Sequence, residues 1–530
     1  MASREILRSK EDLTLSSFNS FRAIIFLHSA ASVVRRNEML REPTPVDVNP
    51  QSLRIALISP KGPLYRHRGG IFGKSLRYMP LTLPTLAALV PPELNATIQC
   101  FDEGIADVPM DLKADLVGLT VITGTAPRAY ALAAEFRQRG IKVVLGGPHV
   151  TLLPDEAQQH ADSIVIGYAE EEWPRLLHDF VAGRMKPRYQ QRPDFELTGR
   201  PLPDRSVLPE KRYLTADVFE ATRGCVHNCS FCVVPAAWGR KPWQKPVEAV
   251  IEDLIRRKAR RAIFIDLNLI SDKGYAARLF EALIPLKIQW YGLATTLLCD
   301  DIPLLDLAAA SGCRGLLMGL ESISNTALKG SHKAFNNPED YPRIVRELHK
   351  RRIALQGCFV FGLDDDTPDV FQKTADFAVR CAIDLPRFAI VTPFPGTGLY
   401  NELSAQDRIF TRNWEQYDGQ HVVFQPAQMT VDQLQKGTEM AWKHTYSWSN
   451  IARRLWHSPT AWPLALTTNI GYRYYAYHLN RFYNCDVPVL PTLMKSAATP
   501  VESPDRPAVR REGCGTTTDE VLVSLEMRES

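Results

Sequence analysis

Short apolar, β-branched runs alternate along the chain with longer segments whose apolar residues recur every three or four positions. In the first part the runs cover residues 53–59, 97–101, 116–121, 142–145 and 163–166, and helical periods fall between them at 83–90, 126–139, 154–160 and 171–181. Runs that are apolar throughout suit parallel strands covered on both faces. The order predicts an α/β architecture that begins with a doubly wound, Rossmann-like sheet, a fold that binds its ligand at the carboxyl ends of its strands. A second series follows, with runs at 218–222, 262–267, 289–294, 315–320, 356–361 and 387–392. Six strand–helix units are too few for a closed eight-stranded barrel. They predict an open, partial (β/α)6 barrel, again with its chemistry at the carboxyl ends.

This pattern divides the chain into a disordered leader (1–50), the Rossmann-like domain (51–190), a Pro-, Arg- and Asp-rich linker (191–216), the partial barrel (217–400), a mostly helical C-terminal domain (401–486) and a disordered, Pro-, Ser- and Thr-rich tail (487–530). The leader holds an apolar run at 23–34 that is too short to span a bilayer. Residues 450–484 are aromatic and basic, which suits a packed cap helix or a surface that meets lipid or an amphipathic substrate. A length of 530 residues accommodates about three domains. The net charge of +4 is spread in mixed patterns and gives no reason to expect nucleic acid. Of ten cysteines, three are clustered and seven scattered singly. That is no disulfide framework, and it fits a reducing, cytoplasmic compartment.

The clustered cysteines are Cys225, Cys229 and Cys232, spaced C-x3-C-x2-C after the first strand of the second series. Three thiolates so close together suit a metal ion or an iron–sulfur cluster. A closed zinc site wants a fourth ligand. The near option, His227, lies inside the loop and is poorly placed to complete a tetrahedron. A [4Fe–4S] cluster on three cysteines keeps one iron open for a further ligand. The triplet resembles the signature of the radical S-adenosylmethionine (SAM) enzymes, and Phe231 stands where that family places an aromatic.

Three turns of the first domain also draw notice: Thr120 to Thr125, Gly146-Gly147-Pro148-His149 and Gly167-Tyr-Ala-Glu-Glu171. Taken alone they are compatible with ordinary βα turns. Their domain precedes the cysteine triplet, and with its Leu83-Pro84 helix start it resembles the cobalamin-binding domain of class B radical SAM enzymes. The resemblance implies cobalamin contacts at Pro84, Thr120, Gly146, Gly147, His149, Gly167 and Glu170. One departure stands out. The D-x-H-x-x-G loop, whose histidine ligates cobalt in many cobalamin enzymes, is absent, and the chain reads Asp102-Glu-Gly-Ile-Ala-Asp107 instead. Cobalt is therefore expected without an imidazole below it, and His149 is read as touching the cofactor's periphery.

At the strand ends of the barrel, the resemblance implies a SAM site. Asp266 is expected to accept from the SAM ammonium, and Glu321 from the ammonium or a ribose hydroxyl. Asn268 and Ser322 can bond beside them, and backbone around Phe231 and Pro395 can pair with the adenine edge. Each carboxylate also has a plainer reading as a helix cap or a solvated loop group. The string Phe361-Gly-Leu-Asp-Asp-Asp-Thr and residues 414–424 resemble the branch that includes the hopanoid methylases. The resemblance implies a C-methyltransferase: a cluster that cleaves SAM with one electron, a 5′-deoxyadenosyl radical, and methyl transfer from cobalamin to an unactivated carbon of a small or lipid-like substrate. It implies a reduced flavodoxin- or ferredoxin-type donor and a single-chain enzyme, with peripheral membrane contact as an option. A cobalamin-assisted cyclase or rearrangement enzyme, or a cobalamin or cluster sensor, are the alternatives.

Overall fold

The computed structural model describes residues 52–62, 78–460 and 462–479. The expected leader and tail lie outside them. The first sheet has six parallel strands: β1 (Arg54–Ser59), β2 (Thr97–Asp102), β3 (Leu116–Thr120), β4 (Lys142–Gly146), β5 (Ser163–Ile166) and β6 (Arg188–Gln190). Their order is β2-β1-β3-β4-β5-β6, so the chain reverses direction across the sheet between β2 and β3, as in a doubly wound fold. The helix Ala126–Gln138 buries Ala129, Leu132, Ala133 and Phe136, the spacing of one helical face, against Val117, Leu119, Val143 and Leu145. The opposite face of the sheet is covered by the helices Thr82–Ala88 and Glu172–Val181 through Leu83, Trp173, Leu176 and Leu177.

β6 was not anticipated. Only its middle residue, Tyr189, is buried, as befits a three-residue edge strand, so there is no apolar run to read.

The second sheet contains β7 (Val218–Phe219), β10 (Arg261–Phe264), β11 (Gln289–Leu293), β12 (Cys313–Glu321), β13 (Ala354–Phe361) and β14 (Arg387–Ile390), all parallel and adjacent in chain order. β7 and β14 are its two edges, which is the expected open barrel. Phe264, Phe280, Trp290, Met318, Phe359 and Phe388 fill its core. The first expected strand of this series, 218–222, is broken. After β7 the chain leaves the sheet, and β8 (Thr222–Arg223) pairs antiparallel with β9 (Trp243–Gln244).

The C-terminal part is helical, with helices Val431–Thr445, Trp448–Leu455 and Trp462–Tyr477. Trp442 is buried and donates from Nε1 to the Phe388 carbonyl at 3.0 Å. Tyr446 and Tyr472 stack on it and Tyr475 meets it edge-on, so much of the aromatic segment is a packed cap. Among the described residues no helix is long and apolar enough to cross a membrane.

The stretch read as a linker is a packed strap. Phe195 and Tyr213 are buried, and the Tyr213 hydroxyl donates to Asp102 at 2.8 Å. Arg205 forms a bidentate pair with Asp253 at 2.8 Å and lies 5.1 Å from the Phe219 ring centre. Composition hides this, because the strap's apolar residues are isolated between polar ones. Asp253→Ala would leave that guanidinium buried without a carboxylate. The expected loss of stability is about 3–5 kcal/mol, read from the denaturant midpoint. A loss within the ~0.5 kcal/mol typical of surface changes would show that the strap does not hold the barrel.

Candidate cofactor site

The cysteine loop begins at β8. Gly224 has φ +84°, and a Cβ there would stand 2.6 Å from the Lys241 carbonyl, so the entry to the loop needs glycine. The loop is fastened by backbone: Ser230 N donates to the Ser331 carbonyl at 3.1 Å, and Leu399 N to the Ser230 carbonyl at 2.9 Å. After Cys232 the helix Val233–Trp238 begins. All three cysteines are free thiols and half-buried. Burial raises Cys229 and Cys232, the latter to about 11, while the nearby Lys333 ammonium acts in the opposite sense. His227 stacks on Phe335 at 4.2 Å, and among the described residues no three His, Cys, Asp or Glu are grouped to hold a metal ion. The three thiols themselves are not drawn into one ligand group here, but as donors on a single loop, with His227 engaged on Phe335, they suit a cluster that keeps one iron open.

Around the triplet the structure gathers Asn268, Glu321 and a residue the sequence did not single out, Lys333. Asn268 Nδ2 lies 3.8 Å from the Cys225 sulfur, while its Oδ1 is buried without a partner, as is Thr295 Oγ1 at the end of β11. Orphaned buried acceptors at strand ends are what a bound polar ligand satisfies. Glu321 and Lys333 form a buried ion pair at 2.5 Å. Glu321 takes φ +65°, at an irregularity in the pairing of β12 with β13. Such a conformation costs a non-glycine residue about 1–3 kcal/mol and clusters at functional positions. Gly319 makes room for the pair, since a Cβ there would run into the Glu321 carboxylate and the Lys333 ammonium. Lys333 sits in a polar loop after the helix Asn325–Gly330, and no local sequence pattern sets it apart.

Two other residues read toward SAM, Asp266 and Ser322, bond within the chain. Asp266 is buried and accepts from the backbone N–H groups of Ala221 and Thr222. Burial, reinforced by Glu220, pushes its carboxyl up to about 7. It pins the chain at the β7–β8 break, which explains why the expected strand does not continue. Ser322 Oγ accepts from Ser324 N at 3.0 Å, a turn bond. Phe231 packs against the barrel core, and Pro395 is buried in the turn after β14.

In the first sheet, Thr120 and Gly146 are opposed at the carboxyl ends of β3 and β4. Gly147 has φ +108°, and a Cβ there would lie 2.7 Å from the Val121 carbonyl oxygen. The glycine serves the close approach of two turns. His149 is fully buried. Its Nε2 lies 3.1 Å from the Tyr130 hydroxyl and 3.2 Å from Glu156, and its Nδ1 lies 3.4 Å from Thr123 Oγ1. Trp414, from the C-terminal part, donates to the same Glu156 oxygen at 3.0 Å. Pro84 is buried, and its carbonyl accepts from Asp204 of the strap. Gly167 has φ +85°, and Glu170 is ion-paired with Arg223.

The carboxyl ends of the two sheets meet at a cavity of about 200 Å³ whose walls include Ile122, Pro148, Leu152, Val233 and Phe394, with Asp418 as the carboxylate. Residues 93–177 match the B12 binding domain family, and residues 219–378 match the radical SAM superfamily. The chain is 31% identical over 396 residues to the bacteriochlorophyllide d C-12(1)-methyltransferase of Chlorobaculum tepidum, covering 72% of this chain and 86% of that one. It belongs to the cobalamin-binding radical SAM methyltransferases. This radical SAM enzyme is also 24% identical over 350 residues to the hopanoid C-2 methylase of Rhodopseudomonas palustris, covering 62% and 65% of the two chains. Its fold is shared with the radical SAM methyltransferase TsrM of Kitasatospora setae, solved with cobalamin and a [4Fe–4S] cluster (TM-score 0.56, 16% identity, 84% of this chain and 100% of that one). The cofactors of this radical SAM enzyme are a [4Fe–4S] cluster, SAM and cobalamin.

Proposed function

We propose that the enzyme methylates an unactivated carbon of a large apolar metabolite of the tetrapyrrole or polycyclic-lipid class. The observation that carries methyl transfer is the cavity, where the turns after the first sheet's strands and the residue after Cys232 share one apolar wall. The names of the relatives support the substrate class. When bound, the cluster supplies the electron that cleaves SAM to methionine and a 5′-deoxyadenosyl radical, and cobalamin supplies the methyl group. The protein's part is orientation and exclusion of water. Cys225, Cys229 and Cys232 would hold the cluster, and an external flavodoxin- or ferredoxin-type protein would deliver the electron.

Glu321 and Lys333 would receive the amino-acid end of SAM. Lys333 suits the carboxylate, and Glu321 the ammonium or a ribose hydroxyl. Asn268 Oδ1 and Thr295 Oγ1 offer further acceptors, and the backbone beside Phe231 and Pro395 would pair with the adenine edge. Lys333→Met and Glu321→Gln are each expected to weaken SAM binding to the cluster-loaded protein by about 1.5–3 kcal/mol, the value of a charge-assisted hydrogen bond. Unchanged dissociation constants in both would return the pair to a purely structural role.

Incubating the reconstituted enzyme with SAM, reductant and a bacteriochlorophyllide tests the reaction. The expected result is a product heavier by one methylene, with S-adenosylhomocysteine and 5′-deoxyadenosine formed together. 5′-Deoxyadenosine without S-adenosylhomocysteine would favour cyclisation or rearrangement, and absence of both would favour a sensor.

Peripheral contact with lipid belongs to the same proposal. Trp448, Trp456 and Tyr474 are exposed, and the sequence has no Asp or Glu between Glu439 and Asp486. Cosedimentation with anionic phospholipid vesicles that falls with salt is expected. Equal recovery with and without vesicles would remove it.

A further inference from the structure

The turn after β5 grips the cysteine loop on both sides. Glu170, 4% exposed, bonds to Arg223, which stands just ahead of Gly224-Cys225. Arg223 also donates from Nε to Glu220 at 2.9 Å, and its guanidinium lies 4.9 Å from the Tyr168 ring centre. Burial opposes charge on Glu220, yet Arg223 and Lys245 bring its carboxyl down to about 2, so this is an ionised network. Tyr168 in turn stacks on Trp238, with centroids 5.5 Å apart and planes 5° apart. Trp238 closes the short helix that begins after Cys232. One turn therefore holds the residue that enters the loop and the helix that leaves it.

The same turn is bonded to its neighbour in the first sheet. Gly167 N donates to Thr151 Oγ1 at 2.9 Å, and that hydroxyl donates to the Gly147 carbonyl at 3.0 Å. Leu152, in the helix started by Gly147, shares the cavity wall with Val233. A continuous path of part-buried bonds and stacked rings runs from the ends of β4 and β5 to both flanks of the triplet. The Glu170–Arg223 pair is its charged link, and breaking a buried pair of this kind is costly.

We propose that Tyr168 and Glu170 are positioning residues for the cysteine loop, through which occupancy of the corrin-binding strand ends alters the affinity of the loop for SAM. The inference rests on the assignment of cobalamin to the first sheet and of SAM to the triplet. It gives Glu170 a task other than touching cobalamin. Coupling between two binding sites is reciprocal, so it is readable from either ligand.

The test uses the full-length, cluster-loaded protein without reductant, so that SAM is not consumed. The dissociation constant for hydroxocobalamin is measured by absorbance with and without saturating SAM. In the wild type SAM is expected to change it at least about fivefold, the low end of measured couplings. In Glu170→Gln the change should fall below about twofold, with iron content retained and a lowered melting temperature that still lies above the assay temperature, and Glu170→Asp should restore part of it. Tyr168→Leu, which cuts the stacked ring and leaves the carboxylate, should lower the coupling independently if Glu170→Gln folds poorly. Wild-type coupling in both Glu170→Gln and Tyr168→Leu, or no coupling in the wild type, overturns the proposal. A wild-type protein that binds no cobalamin would overturn the cofactor assignment of the first sheet, and this inference with it.

Discussion

Replacing Cys225, Cys229 and Cys232 together by alanine is expected to abolish iron binding and 5′-deoxyadenosine formation while the protein keeps its fold. The bonds that shape the loop do not use the thiols. Ser230 is held by Ser331 and Leu399 through backbone, Cys232 N donates to the Cys229 carbonyl at 3.1 Å, and Asp266 fixes the approach at Ala221 and Thr222. The thiols are half-buried, so truncation leaves no sealed void in the barrel core. Glu321 and Lys333 still neutralise one another. Iron and sulfide should fall from about four each per chain to background, and 5′-deoxyadenosine below detection, with the circular dichroism spectrum unchanged. A triple variant that kept its iron would place the cluster elsewhere and remove the basis of the proposed reaction.

The second large effect is expected at Gly147. Gly147→Leu should lose hydroxocobalamin binding together with thermal stability, because the position is strained for any side chain. Its φ is +108°, and a Cβ would meet both the carbonyl oxygen and the nitrogen of Val121, at 2.7 and 2.9 Å. The left-handed conformation alone costs about 1–3 kcal/mol, and backbone cannot yield as a side chain would. His149 N also donates to the Val121 carbonyl, so the displaced turn carries His149 with it. Gly140→Ala is the control: φ there is +77° but a Cβ meets nothing within 4 Å, so strain without collision should be far milder. If Gly147→Leu melted like the wild type, the close approach of the two turns would not matter to the fold. His149→Ala is a separate control on the cobalt. Both His149 nitrogens are engaged within the network of Tyr130, Glu156 and Thr123. The bound Co(II) form should show no nitrogen superhyperfine splitting in either protein. A splitting that vanished in His149→Ala would make this histidine the axial ligand.

How legible each feature was followed from how local its cause is. β1, β3, β4 and β5 could be read because a strand covered on both faces writes its burial into consecutive residues. β6 and the β8–β9 pair could not, since short strands at an edge or outside a sheet bury one residue or none in a run. The cysteine triplet is a local pattern and was plain. Direction is not local. Asp266, Glu170 and Glu321 all stand near strand or turn ends, yet one turns back on the chain, one reaches across to Arg223, and one meets Lys333. Lys333 is isolated in the sequence and becomes significant only where the loop after the helix Asn325–Gly330 returns to the triplet. Gly147 was legible as a glycine that needs space, but the occupant of that space, Val121, lies on another strand's turn.

The strap limits how this enzyme can be taken apart. The core under the first sheet is completed by Leu208, Tyr213 and Ala216 from the strap, and the opposite layer receives Trp414 from far downstream. A fragment cut after residue 190 would lack these pieces and expose the surfaces they cover. Modules exchanged between relatives would therefore splice cleanly only beyond residue 216, and then only if the recipient offered an equivalent of Trp414 to Glu156. Recombination that kept both layers covered would have to carry the first sheet, the strap and the segment bearing Trp414 as one block.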